Sequence, residues 1–149
     1  MMLQQLAIVL AAVVPISGPV VRHFRPPTCE RCAGHRGVTL QTFPGNTVRA
    51  TTNGIVEFAG SVGGTLYVVQ RISPSVRVTY GGLATLAIAD GAQLAAGDVV
   101  GESAETSYLS VRVGDYHVEP LRALGLGRSR LVPGPSESTQ IVGGEGLPR

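Results

Sequence analysis

The 149-residue chain contains no lysine and no tryptophan, and only two cysteines. Without lysine there is no phosphate-cradling loop of the Gly-rich, Lys-tipped kind and no lysine nucleophile. The twelve basic residues are therefore all arginines, and none forms a run. A scattered set with a net charge of +2 gives no sign of the clustered basic face that nucleic acid requires, so no nucleic-acid partner is expected. Three Phe and four Tyr leave the core to Val, Leu, Ile and Ala. Long hydrophobic runs are also missing. The longest, Leu6–Val14, spans nine residues, against the roughly 20 needed to cross a bilayer.

That short run is followed by Pro15, Ser17 and Gly18, the order of a secretory h-region and a small-residue cleavage point. Met1 to Gln5 carry no positive charge, which departs from the usual pattern and leaves a buried first helix or a misplaced start as alternatives. Residues 1–18 are thus expected to be a signal peptide or an N-terminal anchor, the one route to a membrane. The protein is expected outside the cytoplasm, secreted or associated with the envelope of a bacterium. Residues 19–33 read as an irregular, Pro-rich lead-in carrying Cys29 and Cys32. Half a zinc site and a redox pair are the functional readings of Cys-x-x-Cys. No second pair exists to complete a zinc ribbon, and a local disulfide in an exported chain is the simpler reading.

With 44% hydrophobic and 15% charged residues the chain is built to fold, and its 20 Gly and 10 Pro mark many turns. Residues 34–125 read as one domain of short strands. Thr47–Ala50 and Ile55–Phe58 flank the turn dipeptide Asn53-Gly54. Thr65–Ile72 and Ser75–Tyr80 form a hairpin, the second run alternating apolar and polar with period two. Two short strands surround the Gly97-Asp98 turn, Tyr108–Val113 ends at Gly114-Asp115, and Tyr116–Val118 resumes the sheet. Pro120 opens one helical turn. Residues 126–149 lack periodic apolar pattern and are expected to be a flexible tail. The expected fold class is all-β, a single antiparallel sheet or sandwich.

Five pieces recur in an order that resembles the lysostaphin/LytM-type zinc endopeptidases, which cut peptidoglycan peptides. They are Gly34-His35-Arg36-Gly37-Val38, the block Gly45 to Gly60, Val78-Thr79-Tyr80, Gly97-Asp98-Val99-Val100-Gly101, and Val111-Arg112-Val113 leading to Glu119-Pro120-Leu121. The resemblance covers about ninety residues and implies the duplicated hybrid motif fold. The glycine turns are also similar to those of biotinyl/lipoyl carriers, which leaves a binding module of that type as an alternative.

In the resembled family a His-x-x-x-Asp motif and the second His of a His-x-His hold zinc, and two further histidines polarise the attacking water. His35 matches the first ligand. Thr39 stands where the aspartate would be, Thr106 and Tyr108 occupy the His-x-His positions, and Gly82 replaces the histidine after Tyr80. His23 and His117 lie away from this set. His35 is expected to be a turn residue bonded to a backbone carbonyl. Tyr80 and Tyr108 are expected at the rim of the sheet with their hydroxyls in solvent. Asp90, Asp98, Asp115 and Glu119 sit in turns, the usual place for solvated carboxylates. No other catalytic constellation is visible.

These replacements point to a protein without catalytic residues, metal or cofactor. It is expected to be a LytM-like pseudoenzyme whose vestigial groove (His35, Thr39, Tyr80, Gly82, Thr106, Tyr108) binds peptidoglycan or serves a cell-wall hydrolase. An active zinc endopeptidase, using His35 with Cys29 or Cys32, is the alternative from the enzyme class.

Overall fold

Alternation along each strand decides which face is buried. In β6 (Val76–Leu86), Val76, Val78 and Tyr80 are buried while Arg77 and Thr79 are half-exposed. The computed structural model describes residues 13–29 and 33–126. Residues 1–12, Cys32 and the chain from residue 127 lie outside the described residues; the tail expected from residue 126 is corrected at its first residue, because Leu126 is buried in the core.

The remaining strands are β1 (Val20–Arg22), β2 (Val38–Gln41), β3 (Thr47–Arg49), β4 (Gly54–Val62), β5 (Thr65–Ser73), β7 (Gln93–Leu94), β8 (Val99–Val113) and β9 (Tyr116–Val118). They form one antiparallel sheet of nine strands, ordered β1-β2-β8-β6-β5-β4-β7, with β3 and β9 also paired to β8. The expected all-β architecture is therefore the observed one. Among the described residues no helix is long and apolar enough to cross a membrane. The single turn α1 (Pro120–Ala123) has Pro at its start and is capped by the Glu119 carboxylate, which accepts from the Arg122 N–H at 2.8 Å.

The β4–β5 hairpin closes through Gly63 and Gly64, at φ 59° and 85°, between the paired residues Val62 and Thr65. Two consecutive positive φ values match the right-handed twist of the strands, and glycine takes them without strain. Its partner hairpin, β5–β6, forms as expected but turns at Pro74 and Ser75, one residue later than Ser73-Pro74.

Three expectations change. Asn53-Gly54 does not join a hairpin, because β3 pairs with β8 whereas β4 pairs with β5 and β7. The Asn53 carboxamide instead accepts from the Ala96 N–H at 2.9 Å, pinning a crossing loop. The two runs at 99–101 and 108–113 are one strand, β8, since Gly101 packs closely on β6 and does not break it. The lead-in is not irregular throughout. β1 pairs with β2, and Arg25 and His35 bridge through both backbone hydrogen bonds, at 2.8 and 2.9 Å.

Residues ahead of β1 also dock on the domain. The Val13 N–H donates to the Thr51 carbonyl at 2.7 Å. The carbonyls of Pro15 and Pro19 accept from Arg49 and Gln41, each at 2.9 Å. Pro15 is buried, and Val14 and Ile16 pack against the core.

That core is aliphatic apart from Tyr80, and it includes Leu40, Val68, Val78, Val100, Leu109, Val111, Leu124 and Leu126. Among the described residues Tyr80 is the one aromatic ring fully buried in it. Only 1% of the residue is exposed, so the expectation of a rim position with a solvent-facing hydroxyl is corrected. Its hydroxyl donates to Gln70 Oε1 at 2.6 Å and accepts from the Thr51 N–H at 3.0 Å, while Gln70 Nε2 donates to the Thr52 carbonyl at 2.8 Å. Burial pushes the phenol up to about 12, so it stays neutral. This chain of bonds ties the loop after β3 to the middle of the sheet. Tyr80→Phe leaves buried donors and acceptors without partners and is expected to destabilise the fold by about 1–3 kcal/mol. Urea unfolding measures this; a loss under about 0.5 kcal/mol would mean the network carries little.

Candidate functional site

The register of β2 against β8 makes Thr39 and Tyr108 direct partners on the face of the sheet opposite the core. His35 sits just before β2, its backbone fixed by the bridge to Arg25. Three of the positions singled out from the sequence therefore meet. His35 Nε2 lies 3.0 Å from Thr39 Oγ1. The imidazole and the Tyr108 ring stand edge to face, with centroids 5.5 Å apart and planes at 61°. The partner of His35 is thus a side-chain hydroxyl and not the expected backbone carbonyl.

Burial, with the charges of Arg22 and Arg25, lowers the His35 pKa below its ordinary 6.5, which favours the neutral ring. Tyr108 is half-buried and does not reach freely into solvent as expected. Burial raises its phenol, against a hydrogen bond with Ser110 and the opposing charges of Arg36 and Arg22, so the group stays protonated.

Gly82 and Thr106 adjoin this cluster at a bulge between Gly81 and Leu83, where Gly81 faces Tyr108. Gly82 has φ +66°, and a Cβ there would lie 2.6 Å from the Thr106 carbonyl. A histidine at this position would meet both backbone strain and a clash. Tyr80 lies on the other face, inside the core, and does not join the groove. Cys29 is disulfide-bonded, and Cys32 lies outside the described residues.

The residues at the three ligand positions offer one imidazole, one alcohol and one neutral phenol. Zinc favours imidazole, carboxylate and thiolate, so this set does not fit it. Among the described residues no group of three or more His, Cys, Asp or Glu converges on a common point.

The same face continues past Tyr108 into a concavity lined by Glu57, Phe58, Val69, Arg77, Thr79, Arg112 and His117. Sequence reasoning missed it and set His117 aside. The signal was present in the alternation: Arg77 and Thr79 on β6, and Ser110 and Arg112 on β8, share the parity of Tyr108. Here the Glu57 carboxylate accepts from Arg77 Nε at 2.7 Å and Nη2 at 3.0 Å, and pairs with Arg71 at 3.1 Å. The hydrogen bond from Arg77 holds Glu57 below the ordinary carboxylate range. Asp90 and Asp98, expected as solvated turn carboxylates, accept backbone N–H groups of Ala59 and Ala95.

A profile of peptidase family M23 matches residues 33–119. Comparison with curated protein sequences returns no match. Among solved structures, Csd3 of Helicobacter pylori superimposes with a TM-score of 0.66 at 16% identity, over 74% of this chain and 33% of that one. The chain thus spans about a third of Csd3's length. A structure of the SpoIIIAH and SpoIIQ complex matches at 0.65 and 15% identity, over 74% of this chain and 97% of the matched one. The catalytic domain of the antimicrobial peptidase lysostaphin from Staphylococcus simulans matches at 0.60 and 18% identity, over 72% and 92%. At these identities the likenesses establish the fold.

His117, like His35, has a lowered pKa, from burial first and then from Arg36 and Arg112. Both imidazoles resist protonation when folded, whereas in the unfolded chain they take protons near 6.5. Stability is then full above that value and falls as pH drops through it, because the unfolded state binds more protons. The melting temperature is expected to fall between about pH 7.5 and pH 5.5, and less so in His117→Gln. An unchanged drop in that variant would remove His117 from the account.

Proposed function

The chain belongs to peptidase family M23, and from that premise we propose that it is a catalytically inactive member, a pseudoenzyme that works by binding in the cell envelope. Its ligand is peptidoglycan or a cell-wall hydrolase. The observation that carries this reading is the bond between His35 and Thr39, with the Tyr108 ring packed on the imidazole. The positions that would hold a metal satisfy one another.

Hydrolysis of a peptide bond by a metal requires a bound water made acidic enough to attack at neutral pH. It also requires groups that move the proton and steady the developing oxyanion. Neither Gly82 nor Thr106 supplies an acid or base, and Tyr108 remains a neutral phenol. What persists is an open face of polar and aromatic side chains beside a concavity, which suits recognition. Family membership supports placement outside the cytoplasm, through the segment ahead of the domain. The similar SpoIIIAH and SpoIIQ structure is a protein complex, which supports a protein partner as one form of the function. Membership in family M23 sets aside the biotinyl/lipoyl-like alternative.

The test is metal analysis of the purified, untagged protein, together with co-sedimentation on cell-wall sacculi and capture of envelope hydrolases. The expected result is retention on sacculi or a hydrolase with only trace zinc. Near-stoichiometric zinc that disappears in His35→Ala would overturn the reading in favour of a working metallopeptidase. Absence of retention on either target would overturn its binding half.

A further inference from the structure

Arg71, Arg77, Arg112 and His117 stand side by side across four strands. Arg71 pairs with Arg77 between β5 and β6, Arg77 with Arg112 between β6 and β8, and Arg112 with His117 between β8 and β9. Strands lie about 4.8 Å apart, so the row is roughly 14 Å wide. Like charges directly opposite one another destabilise a sheet. One carboxylate, Glu57, offsets this at one end by binding Arg77 and Arg71. Among the described residues, no carboxylate lies within ion-pair distance of Arg112. Yet Arg112 is half-buried and lines two concavities. One has Phe58, Val69 and Thr79 among its lining residues; the other includes Arg36 and Asp115.

We propose that this row is a docking site for a carboxylate-bearing peptide, with the Arg112 guanidinium receiving the ligand's carboxylate. Glu57 shows that a planar carboxylate fits the row in the two-pronged manner of Arg77. The apolar lining from Phe58 and Val69 suits a peptide side chain better than a phosphate polymer. Arg112 lies four residues from Tyr108 on β8, about 13 Å along the same face. A peptide laid along β8 therefore reaches both. An envelope origin for that peptide rests on the function proposed above; its charge requirement does not.

The experiment titrates the whole protein with N-acetyl-Ala-Glu as the free acid, with its diamide, and with inorganic phosphate. Nitrogen-detected shifts of the arginine Nε groups give the readout. The free acid is expected to shift Arg112 and saturate, and the diamide to bind at least tenfold more weakly. Arg112→Gln is expected to lose at least tenfold of the acid's affinity, while Arg112→Lys, keeping charge but not the planar fork, falls between. Arg112→Gln is expected to keep the wild-type melting temperature or exceed it, because a like-charge contact is relieved, and Arg112→Lys, which retains the charge, is expected to leave it unchanged. Equal binding of acid and diamide, no effect of Arg112→Gln, or response to phosphate alone would overturn the proposal. Should wild type and Arg112→Gln be retained equally on sacculi, the envelope origin of the peptide is overturned while the envelope-binding reading stands.

Discussion

β8 runs from Val99 to Val113 and pairs along its length with β3, β2, β6 and β9. Because it is held on both edges, its register is the constraint on which the rest depends. Leu109 and Val111 point into the core while Tyr108, Ser110 and Arg112 share the parity of the opposite face. A slip of one residue would exchange the two sets, burying a guanidinium and a phenol and exposing the aliphatic core. The cost of that exchange fixes the groove as firmly as it fixes the core. The meeting of His35, Thr39 and Tyr108 is a by-product of the same register.

Much of the fold could be read from turn chemistry and alternation. Gly63-Gly64, Gly114-Asp115 and Pro120 mark connections that the structure contains, and the order of the pieces led to the correct family. Local signals failed where the deciding partner was distant. Tyr80 sits in an alternating Val-Thr-Tyr run that looks the same whether its ring is at a rim or in a core. Its burial depends on Gln70 and Thr51, which arrive from another strand and a crossing loop. Asn53-Gly54 has the composition of a hairpin turn, but the strands beside it find better partners in β8 and β5. The arginines at 71, 77 and 112 are scattered in sequence, and only the pairing of β5, β6 and β8 lines them up.

The candidate site was legible as a set of positions and not as chemistry. The resemblance put Thr39 and Tyr108 among the ligand positions without saying how they sit in space, and the register of β2 and β8 sets them opposite each other. Spacing could not reveal that the histidine and threonine bond to each other, or that Gly82 has a backbone conformation closed to histidine. Both depend on three-dimensional approach: one on a hydroxyl at 3.0 Å, the other on a carbonyl from β8. Side chains that pair internally in this way have less need of a bound ion to hold them, and the face stays ordered through hydrogen bonds and ring packing.

The docked stretch from Val13 to Pro19 makes the chain ahead of β1 part of the folded body. Proteolysis needs an extended, detached segment on either side of the bond that is cut. Around Gly18 the chain backs directly onto the Gln41 carbonyl, and its neighbours are already bonded to Arg49 and Gln41. Once folding is complete, the peptide bonds near Gly18 are sheltered by the strands that this strap helps to hold.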